Sequence, residues 1–309
     1  MENRIKEKIL GGNYDLVFYC GFYLFLYGQG ECRRIPYVVD VIDSFSLYTK
    51  TALMKKGQVL EKPWLALNYL WAMRYEKIHF SKAKNMIFVS PVDKAFVQRR
   101  CRHSKIWVVE NGVDTEYFSE RSGAKEESNA LLFTGVMSYQ PNIDAVKYFA
   151  REILPLIRRD VPGVQLIVAG KEPGNELRDL AKEIPGIELT GYLNDIRDAF
   201  ERASVYVAPI ITGAGIKNKV LEAWAMKKAV VGTSMAFYGI EVKNGDNAIV
   251  ADKPKDFAKG VVKLIGDEDL RIRLGAAGRD TVRRGYSWEK QGARLIEIFT
   301  EVMNQRKAA

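Results

Sequence analysis

Short runs of β-branched and aromatic residues alternate with longer amphipathic stretches along almost the whole chain, and this rhythm constrains the fold most. A strand that returns through a helix to another strand packs as a parallel sheet with helices on both faces, so the alternation predicts an α/β architecture. In the first part, Tyr14–Cys20, Tyr37–Ile42, Asn85–Val89 and Ile106–Val109 read as strands, with an amphipathic helix over roughly residues 62–82. Ser90-Pro91-Val92-Asp93 reads as a helix start, with Ser90 as cap and Pro91 in the first turn, where a missing N–H costs least. The polar stretch Ser119–Asn129 could not build a core and marks a domain boundary. Beyond it, strands are expected at Leu131–Thr134, Val164–Ala169, Ile187–Thr190, Val205–Ala208, Ala229–Thr233 and Ala248–Ala251. Helices are expected at Asn142–Arg159, Glu176–Ile184, Ile196–Ala203 and Asn218–Met226.

A length of 309 residues suits two domains, and a hydrophobic content of 47% supplies real cores. No run approaches the ~18 apolar residues of a membrane span, and the charged N-terminus, which opens a short helix, lacks the features of a signal peptide. Cys20, Cys32 and Cys101 are read as reduced structural thiols of a cytosolic protein. With two histidines and no HxxxH or CxxC spacing, no metal site is expected. The net charge of +9 is uneven: from Lys50 to Lys105, 13 Lys/Arg face only Glu61, Glu76 and Asp93. Trp64, Leu67, Trp71, Tyr75 and Ile78 recur there at helical spacing. Two readings stand side by side, an anionic membrane surface met by basic and aromatic side chains, or a core-facing helix with a solvated basic rim. No RNA- or DNA-binding motif accompanies the charge, and no nucleic acid partner is expected.

Ligands of open parallel sheets bind at the carboxyl ends of the strands, where three glycine-bearing loops fall: Gly135-Val136-Met137, Gly191-Tyr192-Leu193 and the run Thr212–Lys217. In the third, Gly213 and Gly215 allow a bulky anion to approach the backbone, and a helix begins at once, offering N–H groups and a positive dipole end. Lys217 and Lys219 add cations suited to a diphosphate, and Glu222, placed near the first helical turn, could accept two ribose hydroxyls. The plainer reading of Glu222 is stabilisation of the helix start, worth under ~1 kcal/mol.

The run from Gly213 through Glu222 to Val231 resembles the donor-binding segment of glycosyltransferase family 4, retaining enzymes of the GT-B fold. Asn111-Gly-Val-Asp-Thr-Glu-Tyr-Phe is similar to the family's interdomain junction, and the stretch Leu132–Asp144 to the first strand and loop of its C-terminal domain. Gly191-Tyr-Leu-Asn-Asp is similar to the loop that meets the nucleobase, and Tyr286-Ser-Trp288 to the start of the returning helix. An exopolysaccharide-associated subgroup is the nearest likeness. The resemblance implies two Rossmann-like domains, with residues 1–118 a partial acceptor-side domain, 119–285 the nucleotide-sugar domain and 286–309 a helix returning toward the first. Relative to a full GT-B domain, about 100 residues are expected to be missing at the start, leaving a sheet of about three strands with an edge that a homodimer, a partner chain or a membrane would cover.

The resemblance also implies roles. Gly135, Val136, Gly213, Gly215, Lys217 and Lys219 would hold the diphosphate, Glu222 the ribose, and Gly191, Tyr192 and Leu193 the base. Lys219 and Asp43 would be the catalytic pair, Asp43 orienting acceptor or sugar, although a helix-capping Asp43 is an equal reading. The activity implied is hexosyl transfer with retention from a nucleotide-diphosphate sugar to a lipid-linked or polysaccharide acceptor, without cofactor or metal, in the cytoplasm or on the inner face of the cell membrane. Two departures stand out. Ala214 replaces the first of two glutamates that many members carry eight positions apart, and Gly135–Asp144 contains no Arg or Lys. A shortened, catalytically idle homologue acting as a nucleotide-binding or interaction module is the alternative.

Overall fold

The computed structural model describes residues 2–28, 35–54, 61–121, 126–213 and 215–307. Cys32, Lys55, Lys56, Ala214 and the middle of the polar linker lie outside them. The chain divides into two compact units: Met1–Asn111 with Ala214–Ile216 and Glu289–Ala309, and Gly112–Gly213 with Lys217–Trp288.

The first unit carries a four-stranded parallel sheet, one strand more than the resemblance implies, in the order β1 (Val17–Cys20), β2 (Tyr37–Ile42), β3 (Asn85–Phe88), β4 (Lys105–Val108). Its strands read as nearly continuous apolar runs because both faces are covered. Val39, Val41, Met86 and Phe88 pack with Phe22, Phe25 and Phe80 on one side. Val38, Ile87 and Trp107 pack with Ile298 and Val302 of helix Trp288–Lys307 on the other. Helices Phe22–Gly28 and Phe45–Met54 escaped the sequence reading. Ser90 caps helix Pro91–Gln98 as expected, its hydroxyl accepting from the Asp93 N–H at 3.1 Å.

Helix Lys62–Phe80 turns the apolar stripe the opposite way from a core-facing helix. Ala72, Glu76 and Phe80 are its buried positions, while Trp64, Leu67, Trp71 and Ile78 are exposed. Glu76 is 2% exposed and is held on every side. It accepts from the Ser44 hydroxyl at 3.0 Å, the Ser46 N–H at 2.9 Å and the Ser46 hydroxyl, and it pairs with Arg100 at 2.9 Å. The buried Asp93 completes the cluster by accepting from the Ser44 N–H at 2.8 Å and from the Ser90 hydroxyl.

The second unit carries a six-stranded parallel sheet ordered β10-β9-β8-β5-β6-β7. Its strands are β5 (Glu127–Thr134), β6 (Gln165–Ala169), β7 (Ile187–Gly191), β8 (Ala203–Ala208), β9 (Ala229–Gly232) and β10 (Ile249–Val250). The chain winds outward from β5 to β7, then returns to the other side of β5 and winds outward again to β10, the doubly wound Rossmann order. The expected α/β fold with two Rossmann-like parts therefore stands. Strand β5 begins inside the stretch read as linker, and the helix expected over Asn142–Arg159 starts at Gln140 and passes through a π turn at Phe149–Ile153.

Removing one partner from a buried ion cluster leaves uncompensated charge. Glu76→Ala should therefore destabilise the first unit by roughly 3–5 kcal/mol. Urea denaturation with hydrogen exchange read in β2 and β3 measures this. A loss below ~1 kcal/mol would show that the cluster contributes little.

Candidate functional site

The reversal of winding direction at β5 and β8 opens a crevice at their carboxyl ends, and that is where the glycine loops of the second unit gather. The turns after β5, β6 and β7 are stitched together by backbone. The Gly135 N–H donates to the Ala169 carbonyl at 3.0 Å, and the Gly170 N–H donates to the Gly191 carbonyl at 3.3 Å. Gly135 and Gly170 meet so closely that a Cβ on Gly170 would overlap the Gly135 carbonyl, 2.8 Å from its carbon.

Lys219 lies on helix Asn218–Ala225, which follows β8. Its ammonium donates to the Asn142 Oδ1 at 2.6 Å and sits 4.4 Å from the Phe133 ring centroid. A Cβ on Gly135 would come 2.8 Å from the Lys219 Nζ, so this cation occupies the loop that has no Arg or Lys of its own. Burial pulls the Lys219 pKa down to about 7, with Lys217 adding to the fall and Glu222 opposing it. Glu222 is the fifth residue of that helix, just past its first turn. Burial pushes its carboxyl up, and Lys219 pulls it back only in part. Both groups resist charge because burial strips them of water.

Asn142 was part of a matched motif but received no role from sequence. Its side chain donates to the Val136 carbonyl at 2.8 Å while accepting from Lys219, so one amide fixes both the turn and the cation. Behind them the buried Tyr206 hydroxyl bonds Thr134 Oγ1 at 2.9 Å and receives the Thr134 N–H at 3.4 Å. Nothing in linear spacing marks these pairs, since Asn142 and Lys219 are 77 residues apart.

Gly213 has φ +123°, which a side chain rarely adopts, and Lys217, the residue before the helix, brings its Nζ to 3.6 Å from where a Gly213 Cβ would stand. Val136 is 40% exposed and Tyr192 73%, with Gly191 and Leu193 half-buried between them. Their loop is pinned by Asp195, which accepts from the Arg197 N–H at 2.9 Å and the Tyr117 hydroxyl at 3.2 Å, while Arg197 stacks over Tyr117 at 4.1 Å. The Arg197 guanidinium holds the Asp195 carboxyl well below the usual carboxylate range. Two matched motifs thus meet at Tyr117 and Asp195. The Asn111–Phe118 motif also meets the Tyr286–Trp288 motif, where the Val113 N–H donates to the Tyr286 carbonyl at 2.8 Å and Gly112 packs on the Trp288 ring.

Asp43 belongs to the first unit, beyond the end of β2. Ile42 before it has φ +72°, a strained conformation for a β-branched residue, held by its N–H donating to Asp40 and its carbonyl accepting from Val89. Gly215 belongs to the same unit, and its Cβ position lies 2.7 Å from Asp43 Oδ1, so any larger residue would collide with the carboxylate. Ser44 caps helix Phe45–Met54, its hydroxyl accepting from the Leu47 N–H at 3.2 Å. Among the described residues no group of three or more His, Cys, Asp or Glu could hold a metal ion.

Residues 128–267 match the family described as Glycosyl transferases group 1. Nearly all of the matched residues lie in the second unit. The phosphatidyl-myo-inositol mannosyltransferase of Mycolicibacterium smegmatis is 26% identical over 202 residues, 63% of this chain and 51% of that protein. The chain thus spans about half the length of this curated relative. Sucrose-phosphate synthase from Thermosynechococcus elongatus superposes with a TM-score of 0.76 at 13% identity, over 98% of this chain and 77% of that one. Anabaena Alr3699/HepE in complex with UDP superposes with a TM-score of 0.71 at 14% identity, over 97% and 81% of the two chains. These likenesses establish the GT-B type of fold.

If Asn142 joins the turn to the cation, Asn142→Ala leaves the Val136 carbonyl and Lys219 without that partner. The second unit should lose about 1–3 kcal/mol in chemical denaturation. An unchanged midpoint would remove Asn142 from the site's framework.

Proposed function

We propose that the chain is a glycosyltransferase that moves a hexose from a nucleotide-diphosphate sugar to a lipid-linked or polysaccharide acceptor with retention. The observation that carries this reading is Lys219: a cation at the switch point of a group 1 glycosyltransferase domain, bonded to an amide and an aromatic face, with burial working against its charge. A diphosphate is an anion that would favour the charged form of such a group. In this reading Lys217, Lys219 and the backbone at Gly135, Gly213 and Gly215 bind the diphosphate, and Val136 lies against it. Glu222 grips the ribose, and Tyr192 and Leu193 frame the base. Residues 119–285 serve as the donor domain and 1–118 as the acceptor side, with 286–309 returning to it. The sugar's bond to the phosphate oxygen breaks as the acceptor hydroxyl attacks the same face, its proton passing to the departing phosphate oxygen. Lys219 and the helix end stabilise the departing diphosphate, and Asp43 orients the acceptor. The scheme calls for no metal or cofactor, and a lipid-linked acceptor would place the protein at the inner face of the cell membrane.

Isothermal titration with UDP-, GDP- and ADP-sugars tests donor binding. One class should bind, and silence across the panel by folded protein would overturn the reading. Release of free nucleotide with a membrane extract as acceptor then separates turnover from binding alone. Glu222→Ala should abolish binding while the thermal transition stays in place, and unchanged affinity would remove the ribose assignment.

The pH dependence follows from linkage. A bound diphosphate raises the Lys219 pKa from about 7, so the complex holds more protons than the free protein above that pH. Affinity should be greatest just below pH 7 and fall as pH rises through the interval up to the bound pKa. It should fall again on the acid side, where Glu222, its carboxyl pushed up by burial, loses its charge. Titrations in buffers of different ionisation enthalpy should report proton uptake above neutrality. Proton-neutral binding there would contradict the role given to Lys219.

A further inference from the structure

From the first unit's helix pair, Phe45–Met54 and Lys62–Phe80, we infer that its outward face docks on an anionic bilayer surface. The inference extends the proposed function, on which its purpose rests, from a lipid-linked acceptor to the residues that would meet the lipid.

A surface helix of a water-soluble unit turns its polar side chains outward. Helix Lys62–Phe80 does the reverse. Its inward positions are Ala72, Phe80 and the carboxylate of Glu76, while Trp64 is 65% exposed, Leu67 65%, Leu70 63% and Trp71 58%. The next turns along the same outward face carry the exposed Arg74 and Lys77. The adjoining helix Phe45–Met54 packs against this one and exposes Phe45 and Tyr48, whose rings stack at 6.4 Å. Indole and phenol rings with one polar edge, followed by long cations, suit the depth at which headgroups meet acyl chains. No described helix is long and apolar enough to cross a membrane, so the contact is peripheral.

Charge selects the occupant. Residues 61–105 contain ten Lys/Arg and three acids, Glu61, Glu76 and Asp93. Glu76 and Asp93 are buried in the hydrogen-bonded cluster, which leaves Glu61 as the acid of this stretch that meets solvent. A second copy of the chain seated two-fold on this face would bring the same excess of cations against it. Anionic headgroups would instead neutralise them, each cation adding to the attraction.

The test is co-sedimentation of the full chain with phosphatidylcholine vesicles, with and without phosphatidylglycerol, alongside tryptophan emission. Partitioning should be at least about tenfold stronger on the anionic vesicles and weaken with salt. It should bring a blue shift that Trp64→Ser/Trp71→Ser removes. Lys62→Glu/Arg74→Glu/Lys77→Glu, which leaves the apolar positions intact and guards against misfolding of the first variant, should abolish the preference for anionic lipid. No partitioning by folded wild-type protein overturns the inference, as does partitioning that neither variant changes. A wild-type dimer that Trp64→Ser/Trp71→Ser converts to monomer without any vesicle binding overturns it too, in favour of a second copy. Nucleotide titration on the same samples reports the donor site separately, so either reading can fail while the other stands.

Discussion

An ammonium group drawn out of water needs an anion, a ring of acceptors or the loss of its proton, and the second unit is arranged around one such group. Lys219 receives a single amide oxygen and an aromatic face, and burial brings it close to neutrality. Asn142 supplies that oxygen because the turn after β5 fixes its side chain against the Val136 carbonyl. The turn is fixed because it shares backbone bonds with the neighbouring strand end. The strand order of the sheet, reversing between β5 and β8, brings a cation from the helix after β8 to a glycine in the turn after β5.

The first unit solves a related problem with opposite chemistry. A buried carboxylate, Glu76, collects two serines and Arg100, and those serines belong to the turn and helix that follow Asp43. Just before Asp43, Ile42 at the end of β2 has a left-handed conformation that only its surroundings can maintain. Strain and buried charge coincide next to Asp43.

The sequence made the fold legible wherever one local pattern sufficed. Apolar runs gave the strands, a serine–proline pair gave the start of helix Pro91–Gln98, and glycines at strand ends gave the three loops of the crevice. Pairings made by the fold alone stayed hidden, because Asn142 with Lys219, Tyr206 with Thr134 and Tyr117 with Asp195 are joined across long stretches of chain. Helices Phe22–Gly28 and Phe45–Met54 were missed because they are short and apolar without a clear polar face. The stripe from Trp64 to Ile78 was visible, but spacing cannot say which way a stripe points. Only the buried Glu76, on the face opposite, decides it.

The close passage of Gly135 over Gly170 leaves no room for even a methyl group between the ends of β5 and β6. Such an interlock removes slack: neither turn can drift without carrying the other. The ends of β5 and β6 are therefore held as one piece, and the diphosphate proposed to bind there would cost little ordering entropy. Variation among proteins built on this plan would then be expected in the exposed rim, at positions such as Val136 and Tyr192, rather than in the floor.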